Sequence, residues 1–276
     1  MSANDYSAYA VPVRARVLDP RRYHASFGRS VRSQLRKLTV LRSFWAVVIS
    51  MIVIYLLITG TAASAQRSIT GDSMRVLDAA ALTTGVSFVI IFSIVQGTLA
   101  VTNEYSSNTM RTTALSDPNR YRSYFAKLTA VGIAAGLANF VMILLSAIIY
   151  MSIVGASWDF DNGNGRALIV FWLVLTTGAI MSTSLGYALR STAGTITVIF
   201  LGLFVAPVIQ IISSAWVQNT MINYLPLIAL QASVRTTLVD TLGVFHLSWS
   251  TALVTWPGYV VVLGALGLFR YTRSDV

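Results

Sequence analysis

Leu128 to Trp158 read LTAVGIAAGLANFVMILLSAIIYMSIVGASW, a run of 31 residues without a charged side chain. An α-helix needs about 20 mostly apolar residues to cross the hydrocarbon core of a bilayer. The run therefore predicts one membrane-spanning helix, and the rest of the chain repeats its pattern.

Five further charge-free stretches are Ser43–Gln66, Ala79–Asn103, Ala167–Leu189, Ser191–Val234 and Thr241–Phe269. Four of these stretches hold one span each. The exception, Ser191–Val234, has 44 residues, which is enough for two spans. Its second half is polar, however, with Gln218, Asn219, Asn223, Pro226 and Gln231. We predict one span there, followed by a membrane-embedded or interfacial segment. The six predicted spans are about 44–63, 80–102, 128–152, 167–189, 194–217 and 247–269.

The composition supports this fold class. The chain is 55% hydrophobic and 11% charged, whereas soluble domains contain about 25% charged residues. We therefore expect an all-α integral membrane protein with a single six-span transmembrane domain over residues 43–276. The absence of cysteine excludes disulfides and thiolate metal sites, and the two histidines lie too far apart in sequence to predict a metal centre.

The positive charges indicate the orientation. With the N-terminus in the cytoplasm, 16 of the 20 Lys and Arg residues fall in inner segments and four in outer segments. This asymmetry follows the positive-inside rule and places both termini in the cytoplasm. The net charge of +10 is then a consequence of topology, and no nucleic-acid partner is expected.

The N-terminal region divides into a polar cytoplasmic tail, residues 1–25, and an amphipathic helix, residues 26–42. Ser26 can cap this helix. Phe27, Val31, Leu35 and Leu38 recur at helical spacing and define one apolar face. A basic amphipathic helix that leads directly into a span is expected to lie in the inner membrane surface.

The predicted spans contain few strongly polar side chains. No Asp, Glu, Lys or Arg is assigned to any of these spans, which argues against a secondary carrier driven by protons or sodium. Gln96, Asn139 and Gln210 are uncharged polar candidates. They either form hydrogen bonds between helices or line a substrate path. Small residues, among them Gly132 and Gly136, indicate close helix–helix contacts.

The inner loop between the second and third spans, Asn103–Lys127, is the most informative segment. It contains Glu104, the one glutamate of the chain, where the second span leaves the membrane. Ser107 can cap a short helix that holds Met110, Arg111 and Leu115 and ends before Pro118. The segment therefore predicts a short helical projection into the cytoplasm.

The same loop then returns to the membrane through a second helix. Asn119 can cap it. Four residues share its apolar face, namely Tyr121, Tyr124, Phe125 and Leu128, while Arg120, Arg122 and Lys127 are expected to face water or lipid headgroups.

This loop resembles the cytoplasmic loop of type-2 ATP-binding-cassette (ABC) membrane domains, the permease subunits of many bacterial exporters. The matching positions are Glu104, Thr109, Arg111, Pro118, Arg120 and Lys127. Asn108 replaces the usual glycine, a mild departure because asparagine tolerates left-handed backbone. The layout of an amphipathic helix, six spans and a half-buried outer segment is also similar.

The resemblance implies a coupling helix that docks on a separate ATPase subunit, with Glu104, Thr109, Met110, Arg111, Leu115, Pro118 and Arg120 as the coupling residues. Two ATPase copies and a second permease chain, identical or different, would complete the complex in a bacterial plasma membrane. ATP and Mg would bind the ATPase. The chain itself is not expected to be an enzyme or to bind a cofactor, because neither of its two lysines fits a phosphate-binding loop.

The implied activity is multidrug-type efflux of a hydrophobic or amphipathic substrate: a drug, an antimicrobial peptide or a lipid-like compound. Two alternatives remain open, a secondary carrier and a non-transporting immunity or assembly protein. Pro226 can begin a helix in the outer segment, with an apolar stripe of Leu227, Leu230, Val234 and Leu238. This helix is either re-entrant or interfacial.

Overall fold

The computed structural model describes residues 26–70, 79–83, 85–107, 109–110, 119–157, 163–211, 214, 216–234 and 248–273, except the side chains of residues 70, 210, 218, 219 and 249. The described part is helical and contains no strand. Its α-helices are α1 (Phe27–Val40), α2 (Arg42–Thr70), α3 (Ala79–Thr83), α4 (Val86–Ser106), α5 (Arg120–Val154), α6 (Asn164–Leu189), α7 (Thr192–Phe200), α8 (Pro226–Ser233) and α9 (Trp249–Arg273). The tail, residues 1–25, lies outside the described residues.

Six helical segments are long and apolar enough to cross a membrane: Arg42–Ile69, Val86–Ser106, Arg120–Val154, Asn164–Leu189, Thr192–Ile209 and Ser250–Arg273. They confirm the prediction of a multi-pass, all-helical membrane protein. The third begins at Arg120 rather than near Leu128, because Asn119 caps it: the Asn119 side chain accepts a hydrogen bond from the Arg122 amide at 3.1 Å. The charged first turns of α5 therefore belong to the same continuous helix as the span.

Helices α4 and α6 form the centre of the bundle. They touch at Gly97 of α4, whose missing side chain lets the Ala179 carbonyl and the Ser182 hydroxyl come close. Thr183 donates a hydrogen bond to the Gly97 carbonyl at 3.0 Å. A side chain at position 97 would occupy the space that the α6 backbone already fills.

Helix α5 packs on α6 through the two glycines that the sequence singled out. Gly132 lies against the Ile180 side chain, and Gly136 lies against Trp172. The Trp172 indole donates to the Gly136 carbonyl at 2.7 Å. The expectation of close helix packing at these glycines is confirmed.

Two predicted spans are less regular than expected. The second begins as the short helix α3 and resumes after Gly85 as α4, and the Tyr55 hydroxyl donates to the Leu82 carbonyl beside this break. The fifth continues beyond α7 as a π-helical segment, Leu201–Val205, and a 3₁₀ segment, Ala206–Ile211. Pro207 lacks an amide hydrogen and crowds the preceding turn, which explains the change of winding. The spanning part ends at Ile209, before the expected end near Val217.

Helix α8 begins with Pro226 in its first turn, as predicted. Leu230 and Val234 are buried in the main core, and Leu227 packs against it. Gln231 donates to the Ser87 hydroxyl of α4 at 2.9 Å. The apolar stripe of α8 is therefore covered by protein, while Leu238 lies outside the described residues.

Helix α1 is capped by Ser26, whose hydroxyl accepts from the Arg29 amide at 3.4 Å. Its apolar face was expected to dip into lipid, but most of this face packs on the bundle. Leu38 is 2% exposed, and Val31 and Leu35 pack against the same cluster of α2, α4, α5 and α6 residues. The difference arises because α5 extends back to Arg120 and gives α1 a protein surface to cover.

Candidate functional site

A buried ionic cluster joins three helices at the end of the bundle where α4 ends and α5 begins. Lys127 of α5 donates to the Glu104 carboxylate at 2.7 Å and to the Gln34 side-chain oxygen at 3.0 Å. Lys37 of α1 approaches the same carboxylate oxygen of Glu104 at 3.5 Å. We call Gln34, Lys37, Glu104 and Lys127 the Glu104 cluster.

Burial makes this cluster energetically important. Lys127 is 1% exposed and Glu104 is 8% exposed. A buried charge is tolerated only when it is paired and hydrogen-bonded. The cluster therefore fixes the position of α1 relative to the adjoining ends of α4 and α5.

The predicted orientation of α5 at this end is wrong. Lys127 was expected to face water or lipid headgroups, but it is buried because α1 covers it. The predicted aromatic face is divided: Tyr124 is buried, whereas Tyr121 and Phe125 are exposed. The helix turns Lys127 and Tyr124 inward, and the two remaining aromatic rings point away from the bundle.

A cluster of aromatic rings lies on the other side of the same end. We call Tyr105, Tyr124, Tyr187 and Tyr271 the tyrosine cluster. The Tyr187 ring centroid lies 4.8 Å from that of Tyr271 and 5.1 Å from that of Tyr124, which is within the range of favourable ring contacts. The cluster joins α4, α5, α6 and α9.

Met110, a predicted coupling residue, is inserted next to these rings. It is 3% exposed and packs with Val101, Tyr124, Tyr187 and Tyr271. A flexible thioether side chain fills such an aromatic pocket well. Met110 therefore anchors the loop to the bundle, and its side chain is not on the surface.

Arg120 forms a second anchor. Its guanidinium donates to the carbonyls of Tyr271 and Thr272 at 3.3 and 3.0 Å. These carbonyls belong to the last turn of α9, where a cationic donor is favourable. The start of α5 is thereby tied to the end of α9.

The residues between the two anchors are described only in part. Ser107 was predicted to cap a following helix, most of which lies outside the described residues. Its hydroxyl donates to the Asn103 carbonyl at 2.6 Å at the end of α4. Thr109 is exposed, and its hydroxyl donates to the Glu104 carbonyl at 3.4 Å. Arg111, Leu115 and Pro118, together with the predicted short helix, lie outside the described residues.

The uncharged polar candidates lie within packed protein. Gln96 is 3% exposed and Asn139 is fully buried, and the Ser93 hydroxyl donates to the Asn139 side-chain oxygen at 3.4 Å. Within the described residues, neither polar atom of Gln96 has a hydrogen-bond partner. The cavity beside Gln96 measures about 10 Å³. The Gln210 side chain lies outside the described residues.

Two important members of these clusters, Gln34 and Tyr187, were not predicted from the sequence. Gln34 lies in the middle of the apolar stripe of α1, between Val31 and Leu38. A polar side chain on a packed face needs a buried partner, so the position of Gln34 within the apolar stripe could have identified it. Tyr187 carried no local signal, because its partners come from distant parts of the chain.

The chain was also compared with known proteins. No protein-family model matches it, and no curated protein matches it. The interpretation of this site therefore depends on its own residues, on their geometry, and on the resemblance of the Asn103–Lys127 loop to the cytoplasmic loop of type-2 ABC membrane domains.

Proposed function

We propose that this chain is the membrane-spanning permease subunit of an ABC exporter. A separate ATPase subunit supplies the energy, and the substrate is a hydrophobic or amphipathic molecule that leaves the cell. The chain lies in a bacterial plasma membrane with both termini in the cytoplasm. The observation that carries the proposal is the double anchoring of the loop between Glu104 and Lys127 to the bundle.

The anchors give the loop a mechanical role. Met110 connects it to α4, α5, α6 and α9 through the tyrosine cluster, and Arg120 connects it to the end of α9. The Glu104 cluster adds α1. Because a packed interior is dense and transmits displacement, movement of the loop would shift all five helices together.

The proposed cycle follows from this connection. ATP binding closes the pair of ATPase subunits, which displaces the short helix that the sequence predicts after Ser107. The loop anchors pass this displacement to the spans, and the spans tilt to release the substrate outward. Met110 and Arg120 act in this cycle as positioning residues, whereas Thr109 and Arg111 contact the ATPase.

We also assign α1 to the inner membrane surface. Its Arg29, Arg32 and Arg36 side chains are exposed, while its inner face packs on the bundle. Trp45, just beyond α1, is half exposed and donates to the Thr39 carbonyl at 2.8 Å. Tryptophan is enriched at this depth of membrane proteins.

The sequence predicted spans without charged side chains, but the spanning segments Val86–Ser106 and Arg120–Val154 contain Glu104 and Lys127. The pairing of these two residues, rather than an absence of charge, is what favours an ATP-driven exporter over a secondary carrier. A proton-driven carrier needs an ionisable side chain that changes its charge during transport. Glu104 and Lys127, buried in two spanning helices, are paired with each other at 2.7 Å. The pair lies at the end of the bundle, where it holds helices together.

Co-purification with an ATPase encoded by an adjacent gene tests the proposal. The wild-type chain should form a stable complex whose ATP hydrolysis responds to substrate. The Arg111→Ala variant should loosen the complex, because it removes a charged contact, while leaving membrane insertion intact. Arg67→Ala also removes an arginine side chain, but from the last turn of α2, and serves as the control. A complex of equal stability with the Arg111 and Arg67 variants would refute the coupling role.

A further inference from the structure

A cleft of about 730 Å³ opens between α1 and the end of α4, beside the Glu104 cluster. Its lining is rich in cationic side chains: Arg29, Arg32, Arg36, Lys37 and Lys127. One carboxylate, that of Glu104, faces them. The cleft therefore carries a strong excess of positive charge.

The one carboxylate is already engaged. Lys127 binds Glu104 at 2.7 Å, and Lys37 lies 3.5 Å from it. Among the described residues, no carboxylate lies within ion-pair distance of Arg32 or Arg36. Two guanidinium groups one helical turn apart suit a phosphate, since arginine binds phosphate through paired N–H donors.

The other part of the lining is apolar. Leu38, Val40, Leu41 and Ala100 border the same cleft, and Val40 is 81% exposed. An inorganic phosphate would leave the exposed Val40 and the partly exposed Leu41 in water. A molecule that carries a phosphate next to hydrocarbon would cover them.

The depth of the cleft in the bundle identifies the source of such a molecule. The spanning segment Arg42–Ile69 begins beside the cleft, and Val86–Ser106 ends there. Charged residues at the ends of spanning helices, here Arg42 and Glu104, are expected near the level of the lipid headgroups. The half-exposed Trp45 at the start of α2 marks the same level.

We propose that this cleft binds the phosphate headgroup of an anionic phospholipid. Arg32 and Arg36 hold the phosphate, and the acyl chains pass over Val40 and Leu41. The bound lipid joins α1 to the end of α4 beside the Glu104 cluster. The phosphate contacts, Arg32 and Arg36, belong to α1 and take no part in the proposed ATPase contact, so this site can exist whether or not the chain is a permease subunit.

Lipid binding to the purified, detergent-solubilised chain tests the site. Native mass spectrometry would count bound phosphatidylglycerol during a titration, with phosphatidylcholine as the zwitterionic comparison and glycerol phosphate as the soluble comparison. The variants are R32Q/R36Q and the charge-preserving R32K/R36K. R273Q, which removes a charge at the same end of the bundle but outside the cleft, is the control. The single variants R32Q and R36Q replace the double variant if it is not monodisperse.

The wild-type chain should retain phosphatidylglycerol in preference to phosphatidylcholine. Loss of two cationic contacts in R32Q/R36Q should weaken this binding roughly 10- to 30-fold. R32K/R36K keeps the charge but loses the paired N–H donors, so it should bind more weakly than wild type and more tightly than R32Q/R36Q. R273Q should bind within about threefold of wild type. Equal binding by R32Q/R36Q and wild type would overturn the proposal. Displacement of the lipid by equimolar glycerol phosphate, or tighter binding of an acidic peptide than of lipid, would also overturn it.

Discussion

Replacement of Glu104 by leucine is expected to lower the free energy of unfolding by about 3–5 kcal/mol, the usual cost of leaving a buried charge without its partner. The variant would leave Lys127, which is 1% exposed, with Gln34 as its remaining contact in the cluster. Lys37, which approaches the same carboxylate, would lose this contact as well. Unfolding in detergent by a steric-trap assay measures the change.

The distances within the cluster predict an order of effects. Lys127→Met should cost less than Glu104→Leu, because Glu104 keeps Lys37 at 3.5 Å. The double variant should recover much of the lost stability, since an apolar pair often replaces a buried ion pair without penalty. If Lys127→Met were the more damaging single change, or if the two losses were additive, the cluster would not act as a coupled unit.

Replacement of Gly97 by leucine should strongly disrupt the packing of the spans. A β-carbon at this position would overlap the Ala179 carbonyl and the Ser182 hydroxyl of α6. The Ala179 carbonyl belongs to the backbone of a central helix, so it cannot move aside as the end of a flexible side chain can. We expect Gly97→Ala to cost about 1–3 kcal/mol and Gly97→Leu to prevent the packing of α4 on α6.

Gly60 of α2 provides the matched control, because a β-carbon there meets nothing within 4 Å. Gly60→Leu should give a normal yield of monodisperse protein by fluorescence-detected size exclusion, whereas Gly97→Leu should give aggregate. Similar elution profiles for the two variants would mean that α4 and α6 do not touch at Gly97.

The six spans could be predicted because charge spacing and length are local properties of the sequence. The irregularities of these spans could not be predicted in this way. The interruption before Val86 depends on contacts such as that between Tyr55 and Leu82, which belong to different helices. Pro207 was visible in the sequence, but the extent of the π-helical and 3₁₀ winding around it depends on packing.

The site was predictable in position but not in detail. Glu104 and Lys127 were recognised by their places in the loop, yet the sequence did not show that they bind each other. The burial of Lys127 also involves α1, which lies about 90 residues earlier and brings Gln34 to its ammonium group. Met110 was predicted at the partner surface, and its burial follows from the distant Tyr187 and Tyr271.

The central claim is that the loop around Thr109 faces the cytoplasm and touches an ATPase. The chain has no cysteine, so Thr109→Cys supplies a unique reactive group, and Thr109 is exposed. A membrane-impermeant maleimide should label this variant in inside-out vesicles only, and a cross-linker should join it to the ATPase. Ser68→Cys, at the opposite end of α2, should show the reverse labelling. Labelling of the Thr109→Cys variant from the outside of intact cells would contradict the account.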